Sequence, residues 1–196
     1  MRRNPKVNAL IRSLASADFA ARASAATEIF DLGREAAMAA IEAWLADSDV
    51  ANLFVRNEDG APRATVGVAV QPETFNQIRA ANGSPRLADV PPDQDVLEFE
   101  LHFGAGGIRL DILTARDPTA DGAIARHLGK FGEGIQQVEF LVHSVDRAAE
   151  ILGTRFAIEP IYPATRNGAD GTRVNFFLLS APGGQKVLVE LVEIKP

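Results

Sequence analysis

Two acidic residues in this chain stand alone among apolar neighbours. Asp111 lies in Ile108-Arg109-Leu110-Asp111-Ile112-Leu113, and Glu190 lies in Val187-Leu188-Val189-Glu190-Leu191-Val192. Each segment reads as a strand, and alternation carries the acid to the face opposite the apolar one. Each is preceded by a second strand with a similar pattern: Thr65-Val66-Gly67-Val68-Ala69-Val70 in the first half, Gln137-Val138-Glu139-Phe140-Leu141-Val142 in the second. The same alternation puts Thr65 and Gln137 on the faces that carry the acids. Carboxylates with neutral oxygen donors can hold a hard cation, move a proton or bind a ligand by hydrogen bonds. Without a cation or a base between them, converging carboxylates repel each other. Arg109 and Lys186 share strand faces with Asp111 and Glu190 and could neutralise them by ion pairing.

The elements that must position these residues follow from periodicity. In the first half, a strand at Thr65–Val70 is followed by a helix from Pro72 to Ala81, ended by Asn82-Gly83. Val96–Phe103 alternates strictly, with Leu97, Phe99, Leu101 and Phe103 on one face and Glu98, Glu100 and His102 on the other. Gly104–Gly107 turns it into Ile108–Leu113 as a hairpin. A helix is expected over Asp117–Lys130. The second half repeats the order: strand Ile135–Val142, helix Asp146–Leu152 with Ser144 as N-cap, a strand near Phe156–Ile161, then strands Thr172–Leu179 and Lys186–Ile194. The expected fold is α+β, two βαββ-type modules forming a cupped mixed sheet, preceded by a small α-helical region.

These stretches resemble the vicinal oxygen chelate superfamily of glyoxalases, bleomycin-resistance proteins and dioxygenases, and within it the methylmalonyl-CoA epimerases. The resemblance rests on Val66–Val70, on Gly132-Glu133-Gly134-Ile135 entering a strand, on Gly168-Ala169-Asp170-Gly171-Thr172-Arg173-Val174, and on Val187–Glu193. Ile124-Ala125 and Leu128-Gly129-Lys130 fit as well, and about two thirds of the chain is covered. The resemblance implies a divalent metal held by four positions, usually His, an acid or amide, His, and Glu. Here Thr65 and Gln137 stand at the two His positions, with Gln136 before Gln137, while Asp111 and Glu190 stand at the acid positions. The implied metal set is Asp111, Gln137 and Glu190, with Thr65 at the fourth place. Such an all-oxygen set suits a hard cation and not zinc, nickel or cobalt. In an epimerase-like reaction Glu190 and Asp93 would be the catalytic acid and base; Asp93 also reads as a solvated turn residue in Pro91-Pro92-Asp93. Three readings stay open: a hard-cation site, a metal-free ligand pocket, or a structural polar network.

The N-terminal region has a different pattern. Residues 5–46 read as helices with apolar stripes at Leu10, Ile11 and Leu14, at Ala26, Ile29 and Phe30, and at Ala37, Met38, Ile41 and Leu45. Pro5 suits a first turn and Asp18 an N-cap; Gly33 is expected to break the second helix, and Asp47-Ser48-Asp49 to end the helical part. The run from Leu10 to Leu45 resembles a single HEAT-type repeat. One repeat cannot bury its apolar face alone, so it must pack on the rest of the chain, on a second copy or on a partner protein. The expected domains are a helical segment 1–50, a linker or short strand 51–62 and a glyoxalase-like domain 63–196.

Composition narrows the function classes. The chain has 196 residues, no cysteine and a net charge of −6. Disulfides, thiolate catalysis and Cys-ligated zinc are excluded, and a nucleic-acid surface is disfavoured. Met1-Arg2-Arg3 is basic, but no continuous apolar core follows, and no run approaches the roughly 20 apolar residues of a spanning helix. A cytoplasmic protein that binds a small acidic or carbonyl ligand, and no membrane, is the expectation. Its alternatives are a metal-free sequestering protein, or an interaction module acting through the helices as a homodimer or with a partner. The three histidines, His102, His127 and His143, have no metal-binding spacing and read as surface or edge residues; His102 shares a face with Glu98 and Glu100. Arg173 and Asn175 share a strand face, suited to an anionic group or to a salt bridge.

Overall fold

The computed structural model describes residues 5–104 and 107–194. Of the sequence features above, Met1–Arg3 and Ala105-Gly106 of the hairpin turn lie outside them. The elements run α1 (Pro5–Ser13), α2 (Phe19–Ala40), α3 (Glu42–Ala46), α4 (Ser48–Ala51), β1 (Ala64–Ala69), α5 (Pro72–Ala81), β2 (Val96–Phe103), β3 (Ile108–Ala115), α6 (Ala123–Phe131), β4 (Gly134–Leu141), α7 (Val145–Phe156), β5 (Arg166–Asn167), β6 (Arg173–Ser180) and β7 (Lys186–Glu193). The chain is α+β, and both βαββ modules are present. It divides into two compact units that do not follow chain order: Met1–Gly33 with Thr65–Gln136, and Arg34–Ala64 with Gln137–Pro196.

In the first unit the strand order is β2-β3-β1, with β1 parallel and β2 antiparallel to β3. Alternation sorts the residues as expected: Phe99, Leu101 and Phe103 are buried, Glu100 and His102 exposed. Phe75 of α5 meets Phe99 edge-on, with ring centroids 4.8 Å apart. Each such ring, once buried, contributes about 1.5–3 kcal/mol. Helix α1 docks through Asn82, whose amide nitrogen donates to the carbonyls of Leu14 (3.0 Å) and Ile78 (2.8 Å). Asp18 caps α2 as expected, accepting the N–H of Ala20 at 2.9 Å.

Gly33 does not end α2, which runs unbroken to Ala40. A Cβ on Gly33 would sit 2.7 Å from Val66 Cγ1 and 2.9 Å from Cγ2. The glycine serves helix-to-strand approach, and the helix tolerates its propensity cost of about 1 kcal/mol. The helix expected from Asp117 starts later, at Ala123. Asp117 instead closes a turn by accepting from the N–H and hydroxyl of Thr119 (2.8 and 2.7 Å), which holds its carboxyl below the usual carboxylate range.

In the second unit the order is β4-β7-β6-β5, with β4 parallel to β7 and β6 antiparallel to both its neighbours. Trp44 of α3 packs edge-on against Phe177, centroids 5.6 Å apart, and Phe54 against Phe140, 5.7 Å apart. Trp44 and Phe54 are therefore covered by rings on the chain's own strands. Asp47 does not end the helical part. It caps α4, accepting from the N–H groups of Asp49 (2.9 Å) and Val50 (3.2 Å). Arg155 of α7 grips Asp47 and Asp49 at 2.8 and 2.6 Å, and its hydrogen bond holds the Asp47 carboxyl low. The strand expected near Phe156–Ile161 is absent. Ala157, at φ 52°, turns the chain out of α7, and one bond from the Ile161 N–H to the Phe176 carbonyl (2.7 Å) ties the following loop.

Candidate functional site

The second unit brings two of the expected residues together. Gln137 on β4 and Glu190 on β7 are both buried, and the Gln137 amide nitrogen donates to a Glu190 carboxylate oxygen at 2.5 Å. The same nitrogen donates to Glu139 at 3.1 Å. Glu139 and Glu190 are register partners on parallel strands, so both carboxylates project from one face. Phe176 of β6 is the register partner of Glu190 on its other side. Tyr162 stands edge-on to Phe176 at 5.9 Å, and the Arg166 guanidinium lies 4.4 Å from the Tyr162 ring centre. The polar face is thus acidic at β4 and β7 and becomes aromatic at β6.

The first unit carries the other half of the set on its own strands. Asp111 is buried, with Gly67 of β1 as its register partner on one side and Glu100 of β2 on the other. Thr65, two residues before Gly67, is half-buried on the same face. Glu100 is exposed and pairs with His102 Nε2 at 2.9 Å. Asp93 is exposed on a single 3-10 turn, Pro92–Gln94, before β2 begins at Val96. Glu100, the residue opposite Asp111, lies four positions further along β2 from Val96, roughly 13 Å at the usual strand rise.

Several other expectations resolve locally. Lys186 turns to Ser180, donating to its hydroxyl at 2.8 Å, and does not pair with Glu190. Arg173 is engaged by Asp146 (2.5 Å) and Glu193 (3.1 Å), so its role is the salt-bridge reading. Glu193 also accepts the first N–H of α7, from Val145, at 2.8 Å. Asn175 is buried and donates to the Tyr162 carbonyl at 3.1 Å. His127 is only partly at the surface. It is half-buried against Phe131, ring centroids 5.3 Å apart, and burial lowers its pKa from the ordinary histidine value. Glu139 was not singled out from the sequence, although its signal was there: two residues after Gln137, it must share that face.

The donor set can be tested against the divalent metal that the fold implies. The end of the Gln137 side chain held between Glu139 and Glu190 is its NH2 group, which suits acceptor oxygens. Gln137 turns its NH2 end, not its oxygen, to both carboxylates, and the face offers a metal no imidazole or thiolate. Among the described residues, no three His, Asp or Glu side chains converge as a metal-binding group. These residues do not fit a tightly held divalent metal.

No family model matches the sequence, and no curated protein matches it. Solved structures do. The structure of methylmalonyl-CoA epimerase from Mycobacterium tuberculosis is 28% identical, with a TM-score of 0.54 over 67% of this chain and 87% of that chain. A Streptomyces coelicolor methylmalonyl-CoA epimerase variant in complex with 2-nitronate-propionyl-CoA is 23% identical, with a TM-score of 0.52 over 69% and 99% of the two chains. A selenomethionine methylmalonyl-CoA epimerase is 20% identical, with a TM-score of 0.55 over 74% and 98%. Among the described residues no helix is long and apolar enough to cross a membrane. With its two βαββ modules, over about two thirds of its length the chain carries the vicinal oxygen chelate fold in the form found in methylmalonyl-CoA epimerases.

Proposed function

We propose that this chain binds a small carbonyl-bearing ligand on the Glu190 face of its second module. On this reading it is a divergent lyase or isomerase that works by carboxylate acid–base chemistry and not through a tightly held metal. The observation that carries the reading is the Gln137 amide seated between Glu139 and Glu190. It keeps two carboxylates on one face, where a carboxylate can take a proton α to a carbonyl. Phe176 beside Glu190 offers an apolar wall for the ligand body. The likeness to the Mycobacterium tuberculosis epimerase makes acyl-CoA thioesters the first ligands to try.

The test is exchange of the α-protons of short-chain acyl-CoA thioesters in D2O, followed by NMR with and without EDTA. Enzyme-dependent exchange that is unchanged by EDTA is expected. Exchange abolished by EDTA would reject the metal-independent chemistry. Saturable binding without exchange would move the chain to the sequestering class. Neither binding nor exchange across acyl-CoAs and simple carbonyl compounds would sink the ligand assignment.

A further inference from the structure

We infer that the side-chain amide of Gln137 takes the place of a cation, cross-linking two carboxylates that face each other from adjacent strands. Glu139 and Glu190 face each other from adjacent parallel strands. Strands lie roughly 4.8 Å apart, and like charges directly opposite destabilise their pairing. Gln137 lies on the same face two residues before Glu139, and its single nitrogen reaches both acids, at 3.1 and 2.5 Å. The NH2 group has two hydrogens, one for each carboxylate, and bonds to charged acceptors are about twice as strong as neutral ones. A metal ion between two carboxylates achieves the same end with positive charge, and it dissociates. The amide is covalently part of β4. The acidic face therefore assembles with the fold, whatever the supply of divalent ions. This inference rests on the metal-independent reading of the face, and it holds whether or not a ligand is turned over.

Thermal melting of the full chain, with and without millimolar Mn2+ or Ca2+, tests it. The wild-type melting temperature is expected to stay put with either ion. Gln137→Glu removes both donors and adds a third carboxylate. Its melting temperature is expected to fall by about 10 °C, and either ion to restore at least half of the loss. Gln137→Met keeps the bulk and removes only the donors, and a fall of about 5 °C is expected. A wild-type protein stabilised by either ion overturns the inference, because the site would then be a metal site. So does a Gln137→Met protein that melts with the wild type. If Gln137→Glu folds only when an ion is present, the substitute role is supported directly. Melting is read separately from α-proton exchange, so failure of the proposed function and failure of this inference show up in different measurements.

Discussion

Gly33 and Val66 touch so closely that the helix residue has no room for a side chain: an added Cβ would lie 2.7 Å from Val66 Cγ1. In an open helix, Gly→Ala stabilises by about 0.5–1 kcal/mol. Here overpacking against β1 opposes that gain and costs about 1–3 kcal/mol. Gly33→Ala is therefore expected to lower the unfolding free energy in urea by roughly 1–2 kcal/mol. Adding Val66→Ala should make the helix substitution nearly neutral, since the clashing methyls are gone. A Gly33→Ala protein more stable than wild type would show that the contact yields without strain.

Glu190 is the residue on which the acid–base reading depends. Glu190→Gln keeps its size and an oxygen for the Gln137 amide to donate to, while removing the proton acceptor. Its α-proton exchange rate is expected to fall by about 100-fold or more. Asp93→Asn is expected to change the rate by no more than a few-fold, because Asp93 sits exposed on a turn before β2. Exchange at the wild-type rate in Glu190→Gln would remove Glu190 from the chemistry. A large loss in Asp93→Asn would return Asp93 to it.

His127 should make folding stability depend on pH near neutrality. Burial lowers its folded-state pKa below the ordinary value of 6.5. Between that lowered value and 6.5 the unfolded chain binds more protons than the folded one, so stability rises with pH across this window. Stability is thus expected to fall as pH is taken from 7.5 to 5.5, and His127→Gln should flatten that slope. Asp47, Asp117 and Asp146, all held below the usual carboxylate value, stay ionised over this range and do not contribute to that slope. Urea unfolding of the two proteins at several pH values measures it, and equal slopes would exclude His127 as the source.

Strand alternation made much of this molecule readable before any coordinates. Phe99, Leu101 and Phe103 bury as their spacing demands, and Asp111, Gln137 and Glu190 fall on the faces assigned to them. What the residues could not convey alone was context. Gly33 looks like a helix breaker in one dimension, because its reason is a valine on a strand more than thirty residues away. Asp47 and Asp117 have the residue type that both begins helices and closes turns, and only their bonding partners separate the two roles. Glu139 stands outside the positions that the resemblance assigns to metal ligands. The alternation that located Gln137 located Glu139 as well.

The interleaving of the two compact units also orders events during synthesis. The first draws on Met1–Gly33 and Thr65–Gln136, so all of its sequence has emerged once residue 136 has. The second needs Arg34–Ala64 from early in the chain and Gln137–Pro196 from its end. Trp44 and Phe54 thus leave the ribosome long before Phe177 and Phe140, the rings that cover them. Until then Trp44 and Phe54 lack the rings that bury them. A nascent chain halted there would present these two rings to chaperones and proteases.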